Sequence, residues 1–139
     1  MTGMIEGGCL CGATSFEIEN DFAFLLFCHC EQCRKLSGSA MAANLFSTTR
    51  TLRWVRGEAH VTKFRHPDRQ FSRAFCNQCG SALPFEGASG RFVIVPAGAL
   101  EGAPQVTKRA EVFTCERANW ELGQAPAETF EGFPTYFDT

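Results

Sequence analysis

Two cysteines separated by two residues lie near the middle of the chain, in Phe75-Cys76-Asn77-Gln78-Cys79-Gly80. A Cys-x-x-Cys turn lets both thiolates face one metal ion, and the glycine after it lets the backbone close around that ion. Residues 71–75 and 81–84 are β-rich, so this stretch predicts a strand, a metal-binding turn and a second strand. A structural zinc ion takes four ligands, and the pair therefore needs two more from elsewhere in the chain.

Two further cysteine groups lie nearer the N-terminus, and their spacing allows two assignments. Seven of the eight cysteines form an N-terminal pair (Cys9 and Cys11), a cysteine trio (Cys28, Cys30 and Cys33) and a knuckle pair (Cys76 and Cys79). In one assignment the N-terminal pair completes the site of the knuckle pair, and the cysteine trio holds a second ion with an open fourth position. In the other, Cys30 and Cys33 join the knuckle pair in a zinc ribbon, and three cysteines have no clear purpose. We favour the first, because it uses all seven and because three protein ligands leave a position for water or substrate.

The composition excludes several classes of protein. The 139 residues are 45% hydrophobic and 20% charged, with a formal net charge of -2, which predicts one globular domain over residues 1–139. The longest apolar run, residues 22–28, is too short for a membrane helix, and a slightly acidic chain is not expected to bind nucleic acid. No signal sequence is recognisable, so we expect a cytoplasmic protein. Thiols stay reduced there, which favours zinc ligands over disulfides, with an iron–sulfur cluster as a further alternative.

The pattern of apolar residues predicts a mainly β protein with little helix. Apolar and polar residues alternate over residues 14–19, and other β-rich stretches are residues 22–27, 60–64, 71–75, 92–95 and 111–113. The 14 phenylalanines, against one tyrosine and two tryptophans, indicate an aromatic core between sheets packed face to face. The best helical candidate is residues 31–36, followed by Gly38 as a C-terminal cap.

Basic residues near the cysteine trio are candidates for holding a small anionic substrate. Arg34 and Lys35 directly follow the trio, and we predict that they bind the substrate beside the open metal site. Arg50, Arg53 and Arg56 lie in the next segment, where solvated surface charge is favoured for each of them.

Four further side chains have the residue types that metal sites use. His29 lies between two proposed ligands and can orient them, donate a proton or face solvent. His60 and His66 have no spacing relation to the cysteines and are predicted to be structural or exposed. Cys115 stands alone, and we expect it to be a buried thiol without a ligand role.

The cysteine groups and their neighbours resemble those of the glutathione-dependent formaldehyde-activating enzymes, a family that also includes centromere protein V. The resemblance rests on Gly7-Gly8-Cys9-Leu10-Cys11-Gly12, Cys28-His29-Cys30-Glu31-Gln32-Cys33-Arg34, Phe75-Cys76-Asn77-Gln78-Cys79-Gly80, and Trp120 with Phe133-Pro134. It implies a mainly β fold of antiparallel sheets with zinc knuckles, often called a β-tent. It also implies that the N-terminal and knuckle pairs bind a structural zinc ion and that the cysteine trio binds a catalytic one.

The resemblance further implies a reaction. It is the addition of the glutathione thiol to formaldehyde, giving S-hydroxymethylglutathione, which is classed in reverse as a carbon–sulfur lyase. The expected partners are therefore a small thiol and a small aldehyde, with Cys28, Cys30 and Cys33 at the reacting centre and Arg34 and Lys35 on the peptide carboxylates. The alternative is a zinc-stabilised binding or chaperone-like module. Three thiolates with an open position favour chemistry, whereas the lack of an obvious general base favours binding.

Overall fold

Strands make up most of the regular secondary structure, which confirms the mainly β prediction. The computed structural model describes residues 3–123 and 125–137. Within them, one α-helix, α1, spans Glu31–Ser37, and three short 3-10 turns span Glu58–His60, Ala97–Ala99 and Thr114–Glu116. The strands are β1 (Met4–Gly8), β2 (Ser15–Glu19), β3 (Phe22–Cys28), β4 (Ala42–Ser47), β5 (Arg53–Arg56), β6 (Val61–Arg65), β7 (Ser72–Cys76), β8 (Ala82–Leu83), β9 (Phe85–Glu86), β10 (Val93–Pro96) and β11 (Val106–Val112).

The strands form three sheets. Their orders are β1-β2-β5, β11-β3-β4-β10-β9 and β6-β7-β8. The pairs within the described residues are antiparallel, as predicted, except that β11 runs parallel to β3. These two strands are far apart in the chain, so no tight turn between them imposes an antiparallel direction.

Several strands extend beyond the predicted stretches or were not predicted. Only the first two residues of the stretch at 111–113 belong to β11, and the four residues before them, Thr107 to Ala110, are exposed on this edge strand, three of them polar. An edge strand shows less apolar alternation than a half-buried one. β4 begins with two alanines and an asparagine, which gave no strand signal. His60 ends a 3-10 turn, and β6 begins one residue later, so its predicted strand position was wrong.

The predicted helix is confirmed, and its first turn carries part of the cysteine trio. Cys30 is the N-cap, and its sulfur accepts a hydrogen bond from the backbone N–H of Cys33 at 3.4 Å. Gly38 ends the helix in the left-handed conformation, with φ 62°, which glycine adopts without steric cost. Capping by a cysteine therefore fixes the positions of two neighbouring thiols.

The central sheet separates the core from the side that carries the cysteine trio. Leu25, Leu45 and Val95 stand opposite one another across β3, β4 and β10, and all three are buried in the core. Side chains alternate between the two faces of a sheet. The next row, Leu26, Asn44 and Pro96, therefore faces the other side, which β3 shares with Cys28.

The aromatic residues divide between core and surface. Phe16, Phe22 and Phe85 are buried as expected, whereas Phe113 and Phe133 are among several phenylalanines that are more than half exposed. No helix within the described residues is long and apolar enough to cross a membrane.

Candidate metal centres and active site

Seven cysteines gather into two clusters. The sulfur atoms of the N-terminal pair and the knuckle pair all lie within 4.8 Å of one another, and those of the cysteine trio do the same. We call the first group the four-cysteine cluster. Cys30 and Cys33 thus lie with Cys28 and not with the knuckle pair, as in the first of the two assignments. All eight cysteines are free thiols.

The four-cysteine cluster has dimensions that suit a zinc ion. Its turns follow β1 and β7, and each ends in a glycine with positive φ, 80° at Gly12 and 77° at Gly80. The sulfur of Cys11 is 3.6 Å from that of Cys9 and 3.9 Å from that of Cys76. A tetrahedron with metal–sulfur bonds of about 2.3 Å has sulfur–sulfur edges of about 3.8 Å. The donors therefore fit a tetrahedral thiolate site.

The thiols of this cluster differ in acidity. The pKa of Cys79 is lowered to about 6, chiefly by its hydrogen bond with the Ser81 side chain. A backbone hydrogen bond at Ala13 lowers the pKa of Cys11, but desolvation and the neighbouring Cys9 and Cys79 thiols outweigh it and raise this pKa to about 11. One thiol therefore ionises readily while its neighbour resists, because adjacent thiolates repel each other. A divalent cation would remove that repulsion, which fits the cluster as a metal site.

The cysteine trio is placed by the end of a strand and the start of a helix. Cys28 ends β3, and Cys30 and Cys33 are buried, at 8% and 5% exposed, as the cap and first turn of α1. Burial raises the pKa of Cys33 and outweighs the opposing positive charge of Arg73. Burial also raises the pKa of Cys30, but a backbone hydrogen bond at Cys33 and contacts with the other two thiols bring the net shift downward. These buried thiols also suit a bound cation.

A cavity of about 530 Å³ opens beside the cysteine trio, and all three of its cysteines line it. Two arginines line it as well. Arg73 donates a hydrogen bond from Nη2 to the Cys33 sulfur at 3.1 Å, and its guanidinium lies 4.6 Å from the centre of the Phe71 ring. Arg69 donates a hydrogen bond to Gln32 at 3.2 Å. Glu31 and Glu116 line it too, so the cavity offers partners for both the anionic and the cationic groups of a small molecule bound beside the thiols.

The cations predicted from the sequence lie elsewhere. Arg34 donates a hydrogen bond from Nε to the backbone carbonyl of His29 at 3.3 Å, and Lys35 is exposed. Neither lines the cavity of the cysteine trio. Arg50 and Arg53 form ion pairs with Glu86 and Glu17, and Arg56 donates to the Gly12 carbonyl. These three arginines thus carry the surface charge that the sequence favoured for them.

His29 does not face solvent. It is completely buried, and its Nε2 lies 3.0 Å from Glu111 Oε1 while its Nδ1 lies 3.4 Å from Glu121 Oε2. Arg117 is 3.2 Å from both carboxylates. This network ties the chain between Cys28 and Cys30 to the segment after β11. The buried His29 therefore helps to hold the backbone that carries Cys28 and Cys30.

Three residues that stood apart in the sequence are not among the cysteine donors of the clusters. His60 nevertheless contacts the turn of the knuckle pair, because its carbonyl accepts a hydrogen bond from the Asn77 backbone N–H at 2.9 Å and its Nδ1 lies 3.2 Å from Asn77 Oδ1. His66 accepts a hydrogen bond from the backbone of Asp68. Cys115 is exposed on a 3-10 turn, so the expectation of a buried thiol was wrong.

Arg73 and Asn44 were not singled out from the sequence. Phe71, directly before β7, and Arg73 and Phe75 within it follow at alternate positions, which indicates one face of a strand with a cation between two aromatic rings. That pattern could have identified Arg73. Asn44 lies in β4, which gave no strand signal, so its face could not be assigned.

The fold and the two clusters define a mainly β protein with two candidate thiolate metal centres, one of which lies beside a cavity. The sequence model of the family described as glutathione-dependent formaldehyde-activating enzyme matches residues 4–116, and the chain belongs to this family. The match includes both clusters. Trp120 and Phe133-Pro134, on which part of the resemblance rested, lie beyond it.

A solved structure supports the fold. The chain is similar to a protein from Rhodobacter sphaeroides whose crystal structure is known, with 28% sequence identity and a TM-score of 0.56. The similarity covers 75% of this chain and 98% of the other. A comparison with curated proteins found no match.

Proposed function

We propose that this chain is a zinc-dependent carbon–sulfur lyase that, in the synthetic direction, adds a small thiol such as glutathione to an aldehyde such as formaldehyde. The observation that carries the proposal is the cysteine trio lining a cavity together with Arg73. Membership in a formaldehyde-activating family supports the same reaction. We further propose that residues 1–139 act as one domain, in the cytoplasm, where thiols stay reduced.

Two zinc ions are proposed, with different roles. The four-cysteine cluster would hold a structural ion, since it offers four donors at tetrahedral spacing. Cys28, Cys30 and Cys33 would hold the second ion, which when bound supplies a Lewis acid beside the cavity. The cavity leaves room there for a substrate atom.

The reaction needs no oxidant or reductant. The thiol sulfur forms a bond to the carbonyl carbon, the carbon–oxygen double bond becomes single, and the thiol proton ends on the oxygen. Arg73, 3.1 Å from the Cys33 sulfur, would place a positive charge near a substrate sulfur bound at the trio and favour its thiolate form. Arg69, exposed near the cavity, is placed to bind a carboxylate of a peptide thiol. Arg34 and Lys35 remain predicted contacts for the second carboxylate.

We expect two zinc ions per chain and zinc-dependent exchange between formaldehyde and its glutathione adduct. The adduct also forms without a catalyst, so its yield is uninformative, because a catalyst leaves the equilibrium unchanged. The measurement is therefore exchange NMR with ¹³C-formaldehyde at equilibrium, in which the exchange rate should rise in proportion to the concentration of zinc-loaded protein. Elemental analysis gives the metal content.

Several outcomes would overturn this proposal. One zinc ion per chain, or an intense iron–sulfur absorption band, would contradict the two-site assignment. Exchange at the spontaneous rate with formaldehyde and with other aldehydes and thiols would favour a zinc-stabilised binding module. Bovine serum albumin at equal protein mass serves as the control for nonspecific thiol and amine chemistry.

Arg73→Met is expected to raise the KM for glutathione about ten- to a hundredfold. The variant loses the proposed hydrogen bond from the guanidinium to the glutathione thiolate, and hydrogen bonds to charged groups are worth about 1.5–3 kcal/mol. The aliphatic part of methionine still packs on Phe71 and Phe85, so the melting temperature should change little. Exchange kinetics at varied glutathione concentration measure the KM.

Arg91→Met is the matched control for Arg73→Met. Arg91 also lies over a phenylalanine ring, that of Phe92 at 5.0 Å, but it does not line the cavity of the cysteine trio. The Arg91→Met variant should have the same KM for glutathione as the wild type. An unchanged KM in Arg73→Met would remove this arginine from the binding site, and loss of the second zinc ion would instead assign it to holding Cys33.

A further inference from the structure

A second cavity adjoins the one beside the cysteine trio. It has a volume of about 470 Å³, in the range typical of ligand sites. The two cavities share Cys33, Asn44 and Arg73 in their linings. A molecule bound at the trio can therefore extend in two directions from the same reacting centre.

The two cavities differ in chemistry. The first has apolar walls that include Phe46, Phe71 and Ile94, but it also carries charged side chains, among them Glu31, Arg69 and Glu116. The second extends between apolar side chains, chiefly those of Leu36, Met41, Phe64, Phe75 and Pro96. A peptide thiol carries carboxylates and an ammonium group, and burying these without partners is costly. The first cavity therefore suits the thiol, and the second suits an apolar group.

Asn44 supplies a polar group where the cavities meet. It is 7% exposed, and its side-chain amide forms no hydrogen bond with any of residues 3–123 or 125–137. The register of β4 places it opposite Leu26 and Pro96, on the face that carries Cys28. Its amide keeps some contact with the space of the two cavities, which it helps to line, so it is accessible to a molecule bound there. An oxygen atom of a bound molecule can be its hydrogen-bond partner.

We propose that the aldehyde used by this chain carries an apolar substituent, which occupies the second cavity while the Asn44 amide donates a hydrogen bond to the carbonyl oxygen. This inference rests on the proposed function. The bonds that form and break are those of thiol addition, and the substituent is unchanged. Formaldehyde has no substituent and leaves the second cavity unfilled, so a longer aldehyde such as butanal gains binding energy there that formaldehyde does not.

Gly98→Leu is expected to lower kcat/KM for butanal tenfold or more while leaving that for formaldehyde within about twofold. Gly98 lines the second cavity, and a Cβ atom built on it has no other atom within 4 Å. A leucine there fills the space without a backbone clash. Each methylene group of butanal that loses its apolar site lowers kcat/KM about fourfold. Exchange NMR on zinc-loaded protein measures both aldehydes, and each is compared between variant and wild type so that intrinsic aldehyde reactivity cancels.

Gly132→Leu is the matched control. Its Cβ would also lie in open space, and Gly132 does not line either cavity. It should leave both aldehydes unchanged. Equal losses for formaldehyde and butanal in Gly98→Leu, or no loss for butanal, would overturn the inference and leave the proposed function intact. No exchange with either aldehyde in the wild type would overturn both.

A binding measurement tests the cavity without turnover. Met41 lines the second cavity, whereas Met4 is half exposed on β1. With ¹³C-methyl methionine in the zinc-loaded wild type, hexan-1-ol should shift the Met41 signal and leave the Met4 signal in place, and the variants Met41→Leu and Met4→Leu assign the two signals. The shift should disappear in Gly98→Leu. Equal shifts at both methionines, or none, would contradict an apolar site here.

Discussion

Replacing Cys76 by serine is expected to remove one zinc ion and abolish cooperative unfolding. Cys76 is 1% exposed in the core, and its sulfur lies 3.9 Å from that of Cys11. Zinc binding to structural sites contributes about 10–16 kcal/mol in zinc-finger peptides, while a whole domain is stable by about 5–15 kcal/mol. Weakening this site therefore removes a large share of the total stability. Circular dichroism during heating and native mass spectrometry measure the two effects.

Cys115→Ser is the control for Cys76→Ser. It makes the same chemical change at an exposed thiol outside both clusters, and a surface substitution of this kind shifts stability by no more than about 0.5 kcal/mol. It should retain two ions. If Cys76→Ser melted cooperatively within a few degrees of this control with two ions still bound, the four-cysteine cluster would not be a structural metal site.

The predictable parts of the site are those that depend only on residues close together in the sequence. A Cys-x-x-Cys with a following glycine specifies a turn, and the glycine at 38 specifies the end of a helix. The partner of each turn is not local. We favoured the grouping that the structure shows because it uses all seven cysteines. The spacing itself does not predict that Cys11 and Cys76, 65 positions apart, lie together.

Positions around a helix and across a sheet were the harder part. Arg34 follows Cys33 directly, but neighbours in a helix point about 100° apart, and Arg34 turns to the His29 carbonyl. Arg73 is distant in sequence from the trio, and the pairing of β6, β7 and β8 contributes to its placement at the cavity. Adjacency to Cys33 in the sequence thus does not put Arg34 in the lining of the cavity, whereas Arg73, between aromatic residues on a strand, does line it.

Cys30→Ser is expected to preserve the fold, lose the second zinc ion and reduce exchange to the spontaneous rate. Serine is a good N-cap, so the start of α1 is retained. The trio lies within one stretch of six residues, whereas the four-cysteine cluster joins residues 65 apart. Closing the longer loop constrains the unfolded chain more, by about 2 kcal/mol. Loss of the second ion should therefore cost much less stability than loss of the first.

Comparison with Cys30→Ala separates the cap from the metal in this experiment. Both variants remove a thiolate, but alanine also removes the cap, which costs about 0.5–2 kcal/mol. The alanine variant should therefore melt lower than the serine variant, while both lose exchange equally. Unfolding of Cys30→Ser as complete as that of Cys76→Ser would make both metal sites structural and favour a binding module. Exchange at the wild-type rate in Cys30→Ser would place the reaction away from the trio altogether, because a zinc ion with only two thiolates there would not be retained.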